Sequence, residues 1–164
     1  MKNNRLVLIL SISTAILAIL GSLLWWWGVF YSDGLYGISF IDVFIWLFDN
    51  KWFVLLDPTS EPAFLIYYVF ALVFLAGGII TIINGFKPKK FIIIISVVLV
   101  SSAVVLMTLF TLGFLIMTEM GIEYFFFYLG SDYIIGLGPG FYLGIAALIL
   151  DFFNLHSTLN LVKS

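Results

Sequence analysis

Residues 6–32 read LVLILSISTAILAILGSLLWWWGVFYS, twenty-seven positions without a single Lys, Arg, Asp or Glu. About 20 apolar residues in a helix cross a hydrocarbon core about 30 Å thick. Working outward, the same test is met or nearly met by Pro62–Phe86, Phe91–Thr118 and Tyr133–Leu150, which are equally free of charge. The 164-residue chain is 63% hydrophobic and 10% charged, with a mean hydropathy of +1.22. A soluble domain carries roughly 25% charged residues, so lipid is the solvent this composition suits. The spacing predicts an all-α membrane protein, a four-helix transmembrane bundle in one domain (residues 1–164).

The helices are expected over about residues 6–29, 63–86, 91–117 and 134–156, with outer loops over about 30–62 and 118–133. Charge fixes the orientation. Lys2, Arg5, Lys87, Lys89, Lys90 and Lys163 fall at the two termini and the middle connection, while Asp33, Asp42, Asp49, Asp57, Glu61, Glu119, Glu123 and Asp132 fall in the other two connections. Basic residues in short loops stay on the cytoplasmic side. Both termini and the Lys87-Pro88-Lys89-Lys90 turn are therefore expected in the cytoplasm of a plasma-membrane protein, with the acids outside. The N-terminal run is too long for a cleaved signal and lacks a small-residue cleavage site, so it reads as a retained anchor.

Aromatic residues mark the outer interface, where a ring is apolar on one side and wet at its N–H or O–H. Trp25, Trp26 and Trp27 are expected to end the first helix there, Tyr67 and Tyr68 to begin the second, and Tyr124, Tyr128 and Tyr133 to bracket the second outer loop. The stretch Ile38–Leu56 is unusually apolar for a loop. Its aromatic and β-branched content, with Asp49-Asn50 at the centre, suits a hairpin of two short strands. An interfacial helix is the alternative, because Ile38, Ile41, Ile45 and Phe48 share a helical face and Ser39 with Asp42 resembles a capping box. In either form it must lie on the bundle, in the headgroups or against a partner.

Helices in lipid associate where small residues let backbones approach. Three such ridges are readable at a spacing of about four residues: Gly136, Gly140 and Gly144; Gly77, Thr81 and Gly85; and Ser11, Ala15, Ala18 and Ser22. The Gly136-Leu-Gly-Pro-Gly140 stretch is read as a helix start that tolerates Pro139, followed by a packing face.

Chemistry-bearing residues are few. One histidine, His156, and no cysteine leave neither a two-His haem site nor a zinc site, so no cofactor or metal is expected, and His156 is read as a surface or helix-end residue. Asp151 lies within the fourth helix, where a carboxylate is a functional hypothesis by default. It is expected just inside the cytoplasmic boundary, in an ion pair with Lys87, Lys89 or Lys90 or in a hydrogen bond, with a proton relay as the alternative. No nucleophile, base and orienting group stand together, so the chain does not read as an enzyme. Acidity outside argues against a nucleic-acid partner.

Four spans, a long first outer loop, and Trp27 (or Trp25 or Trp26) followed by Gly34-Leu35-Tyr36-Gly37 resemble the claudin and peripheral myelin protein superfamily. Tyr36 stands where members of that superfamily have Trp, and their cysteine pair is missing. The resemblance implies a small antiparallel sheet over the helices and loops that mediate lateral or cell-to-cell assembly. The expected function is non-enzymatic assembly with other membrane proteins or with further copies of the chain, in a lipid setting, as a claudin-like scaffold or accessory subunit. The alternative is a small transporter, channel or respiratory accessory subunit that uses Asp151 and the outer acids.

Overall fold

The computed structural model describes residues 2–24, 27–31, 34–37, 63–117, 127–130 and 133–163. Four long helices run through it: α1 (Lys2–Leu23), α2 (Ala63–Phe86), α3 (Lys90–Met117) and α4 (Pro139–Lys163). Each contains a stretch long and apolar enough to cross a membrane. They form a ring in chain order, α1 against α2, α2 against α3, α3 against α4, and α4 closing back onto α1. The molecule is a four-helix transmembrane bundle.

Four short strands cap one end: β1 (Trp27–Tyr31), β2 (Gly34–Gly37), β3 (Phe127–Leu129) and β4 (Tyr133–Leu137). They make one antiparallel sheet in the order β2-β1-β4-β3. Its central pair joins the two connections, with Val29 opposite Ile135 and Gly28 opposite Gly136. The hairpin β1–β2 pairs Tyr31 with Gly34 and Gly28 with Gly37, so Trp27 and the Gly34-Leu35-Tyr36-Gly37 element belong to one sheet.

The sheet explains where the observed helices depart from the expected ones. The first helix stops at Leu23, with Leu24 N–H donating a last bond to Leu20 C=O (3.1 Å), and does not continue to residue 29. Trp27 opens a strand instead of ending the helix. An uncharged run does not distinguish a helix from a buried strand, and once about 20 residues have crossed the core the aromatic and β-branched remainder is free to pair. Likewise the fourth helix begins at Pro139 rather than residue 134, because Tyr133–Leu137 is a strand, and it extends to Lys163 rather than 156. Pro139 takes the first helical position, where its missing N–H costs nothing.

The bundle is layered along its axis. Towards the sheet its centre is mainly apolar: Ala18, Phe74, Val100, Ala103, Val104, Met107 and Ala147 form one buried cluster, and the buried Ser22 and Thr111 hydroxyls donate to carbonyls of their own helices. Towards the Lys87–Lys90 turn the centre is polar, with Ser11, Thr14, Thr81, Asn84, Ser96, Asp151, Asn154 and Thr158 all buried. Large apolar side chains such as Ile9, Ile83, Val98, Leu109 and Phe153 are exposed on the outside of the helices, as lipid contact requires.

Glycines set the closeness of the helices. A Cβ on Gly78 would lie 2.8 Å from Ala18 Cβ, and one on Gly85 would lie 2.7 Å from Ser11 Cβ, so α2 meets α1 through Gly78 and Gly85. Gly77 turns the other way, its Cβ position 2.8 Å from Val100 Cγ2 on α3. The expected single ridge of Gly77, Thr81 and Gly85 is therefore split between two neighbours. A step of four residues turns about 400°, so two steps rotate the face by about 80°, whereas the seven residues from Gly78 to Gly85 bring it back to within about 20°. The ridge expected from Gly136 to Gly144 is divided as well: Gly136 lies in β4, and only Gly140 and Gly144 lie on α4. Those two back onto Gly21 of α1, whose Cβ position is 3.4 Å from Gly140 O and 3.5 Å from Gly144 N.

Candidate functional site

The polar half of the bundle holds two connected groups of side chains. In the one nearer the turn, Asn84 Nδ2 donates to Thr158 Oγ1 (3.0 Å), Thr158 Oγ1 donates to Asn154 Oδ1 (3.5 Å), and Asn154 Nδ2 donates to Ser11 Oγ (2.9 Å). Asn84 Oδ1 in turn accepts the Lys89 backbone N–H (3.2 Å), which ties the turn between α2 and α3 to α4 and α1. Asn84, Thr158 and Asn154 each both give and receive, so the chain of bonds is mutually polarising.

One turn deeper lies Asp151, fully buried. Ser96 Oγ donates to its Oδ2 (2.8 Å) and Thr81 Oγ1 to its Oδ1 (3.4 Å). The same two hydroxyls touch each other, and both reach the Gly77 carbonyl, at 2.9 Å from Thr81 and 3.2 Å from Ser96. Of the two arrangements expected for Asp151, an ion pair and a hydrogen bond, the structure shows the hydrogen bond. Lys87, Lys89 and Lys90 are exposed, and the carboxylate takes hydroxyl partners. Thr81 and Ser96 are each six residues inside the turn, which places this layer about 9 Å along the axis from it. The layer therefore lies on the turn side of the bundle, since Thr81 and Ser96 stand twelve and sixteen residues from the other ends of the spans Val69–Phe86 and Lys90–Leu112.

The register of α1 against α4 brings Thr14 to the same level. Ser11 is bonded to Asn154, and Gly21 backs onto Gly144, ten residues away on each antiparallel helix. Thr14 is three residues from Ser11, and Asp151 three from Asn154. Seven residues also separate Thr14 from Gly21 and Asp151 from Gly144, which keeps both side chains on the α1–α4 interface. Thr14 is fully buried, and its Oγ1 has no hydrogen-bond partner.

Sequence reasoning singled out Asp151 but missed its company. The signal was present: Ser11 and Thr14, Thr81 and Asn84, and Asp151, Asn154 and Thr158 recur at spacings of three and four in otherwise apolar helices, so each set lies on one helical face. His156 is exposed on α4, with Asn160 Nδ2 3.0 Å from its Nε2, and stands apart from the network. Among the described residues no group of three His, Cys, Asp or Glu gathers. Trp25, Trp26, all the expected outer acids and the Ile38–Leu56 stretch lie outside the described residues. No family model, curated protein or solved structure matches the chain.

Proposed function

We propose that this chain is a non-enzymatic, multi-pass plasma-membrane protein that works by assembly with other membrane proteins or with copies of itself. Its termini and Lys87–Lys90 turn lie in the cytoplasm, and its sheet lies outside. The observation that carries this is how the bundle spends its contact-making residues. The glycines at 21, 77, 78, 85, 140 and 144 face neighbouring helices of the same chain, and the buried amides bond to one another. What stays available for partners is the sheet end, where, among the described residues, β2 and β3 are each paired on one side only. A strand paired on one side offers backbone N–H and C=O groups to another chain. The likeness to the claudin superfamily, carried by Trp27 and Gly34–Gly37, belongs to the same proposal.

Cross-linking in intact membranes, followed by extraction in mild detergent, tests it. Assemblies well above the 18.5 kDa of one chain are expected; a lone monomer in every detergent, with nothing cross-linked, rules assembly out. The orientation has its own test, since the chain has no cysteine. A single Lys89→Cys substitution is expected to react with a membrane-impermeant maleimide only after the cells are opened, and labelling of intact cells reverses the topology.

The burial of the Asp151 carboxylate inside the bundle favours a second reading, a small transporter, channel or accessory subunit with Asp151 on the path. Ion flux through reconstituted vesicles that is lost in Asp151→Asn would select it.

A further inference from the structure

The layer around Asp151 has more oxygen than hydrogen. Five oxygen–oxygen contacts join Asp151, Thr81, Ser96 and the Gly77 carbonyl, yet the two hydroxyls bring one hydrogen each. The register of α1 against α4 puts a further buried hydroxyl, Thr14, level with this cluster, and its Oγ1 has no partner. Buried polar groups are almost always satisfied, so an oxygen-rich cluster level with an unpaired buried hydroxyl points to a ligand that accepts lone pairs.

We propose that Asp151, Thr14, Thr81 and Ser96 form a binding site for one small monovalent cation of the sodium type. Hard cations take carboxylate, hydroxyl and carbonyl oxygens, the donor set of this layer. Charge selects the valence. One carboxylate in the membrane interior is neutralised by one positive charge, whereas a divalent ion leaves a net charge in a medium where charge is costly. The hydrogens are then accounted for as well: the Thr81 hydroxyl turns to the Gly77 carbonyl (2.9 Å) and Ser96 Oγ keeps its bond to Asp151 Oδ2 (2.8 Å), which leaves lone pairs of both hydroxyls and Asp151 Oδ1 for the ion. Because α1, α2, α3 and α4 each contribute one ligand, the cation ties all four helices at one level. This site is independent of the assembly proposed above.

The full chain, purified in detergent or in lipid nanodiscs, is melted at constant ionic strength in sodium chloride and in choline chloride, and equilibrium binding of radioactive sodium is measured in parallel. A ligand that binds the folded state raises the melting temperature by mass action. The expected result is a melting temperature that rises and saturates with sodium, and saturable sodium uptake near one per chain. Asp151→Asn is expected to abolish both. Thr14→Val, which removes only a hydroxyl, is expected to weaken sodium binding several-fold and serves where Asp151→Asn does not fold. Equal melting in sodium and choline overturns the site and leaves the cluster to a proton; so does a sodium response that survives unchanged in Thr14→Val.

Discussion

Substituting Gly78 by Ala tests the closest approach between α1 and α2 with a single methyl group. Its carbon would lie 2.8 Å from Ala18 Cβ and 3.6 Å from both Ala15 Cα and Ala15 O. Carbon atoms rest at about 3.5–4.0 Å, so the pair falls short by roughly 1 Å. Ala18 Cβ is fixed to its backbone and cannot rotate away, so the helices themselves must separate. A gap of 0.5–1 Å forfeits about a quarter to a half of each dispersion contact along the interface. Overpacking of this kind costs about 1–3 kcal/mol, and the better helix propensity of Ala returns up to about 1 kcal/mol. The net expectation is a loss of about 1–2 kcal/mol, measured by reversible unfolding in mixed micelles followed by circular dichroism. Ala18→Gly removes the obstructing methyl, so the double variant is expected to recover, with a coupling energy of about 1–3 kcal/mol. Ile79→Leu, one residue on and half exposed, is expected to change little. Wild-type stability in Gly78→Ala, or no recovery with Ala18→Gly, refutes this account of the interface.

Two further outcomes are expected. Ser96→Ala removes the nearer hydroxyl donor to Asp151 and is expected to cost about 1–3 kcal/mol, while Ser101→Ala, whose hydroxyl bonds only to carbonyls of its own helix (Val97, 2.6 Å; Val98, 3.2 Å), is expected to stay within about 0.5 kcal/mol; equal effects in the same unfolding measurement count against a special role for the Asp151 layer. In the cysteine-free background, the pair Val29→Cys and Ile135→Cys stands directly opposite across β1 and β4 and is expected to form a disulfide on mild oxidation, seen as a mobility shift, because opposed residues in an antiparallel pair have Cα atoms about 4.5–5.5 Å apart. Preferential closure of Val29→Cys with Ile134→Cys shifts the register by one.

The second and third helices were legible because charge marks their shared end. Lys87-Pro88-Lys89-Lys90 stops one helix and starts the next, and the observed bounds, Ala63–Phe86 and Lys90–Met117, follow it closely. The first and fourth helices have no such mark towards the sheet. Trp27–Tyr31 and Tyr133–Leu137 are as apolar as the helices they adjoin, so local hydrophobicity merges strand with helix, and only the pairing of β1 with β4, a hundred residues apart, separates them. The same limit hid the site. Asp151 was conspicuous as a carboxylate in a helix, but Ser96, Thr81 and Thr14 look unremarkable in isolation, since hydroxyls are common in membrane helices. Their meaning comes from four helices meeting at one level, and that depends on the glycine contacts at 21, 77, 78 and 85, of which the four-residue spacing picked out only Gly77 and Gly85, as one ridge.

The embrace of α4 by α1 also dictates a timetable for biogenesis. When α1 leaves the ribosome, the helix that will receive Ser11 and cover Thr14 is more than a hundred residues from being made. Until then those hydroxyls face lipid or whatever insertion factor shelters them, and the ring stays open on one side. Closure of the ring thus waits for α4, so a chain stalled or cut before Pro139 presents an unfinished polar flank, the kind of mark by which membrane quality control tells an incomplete product from a finished one.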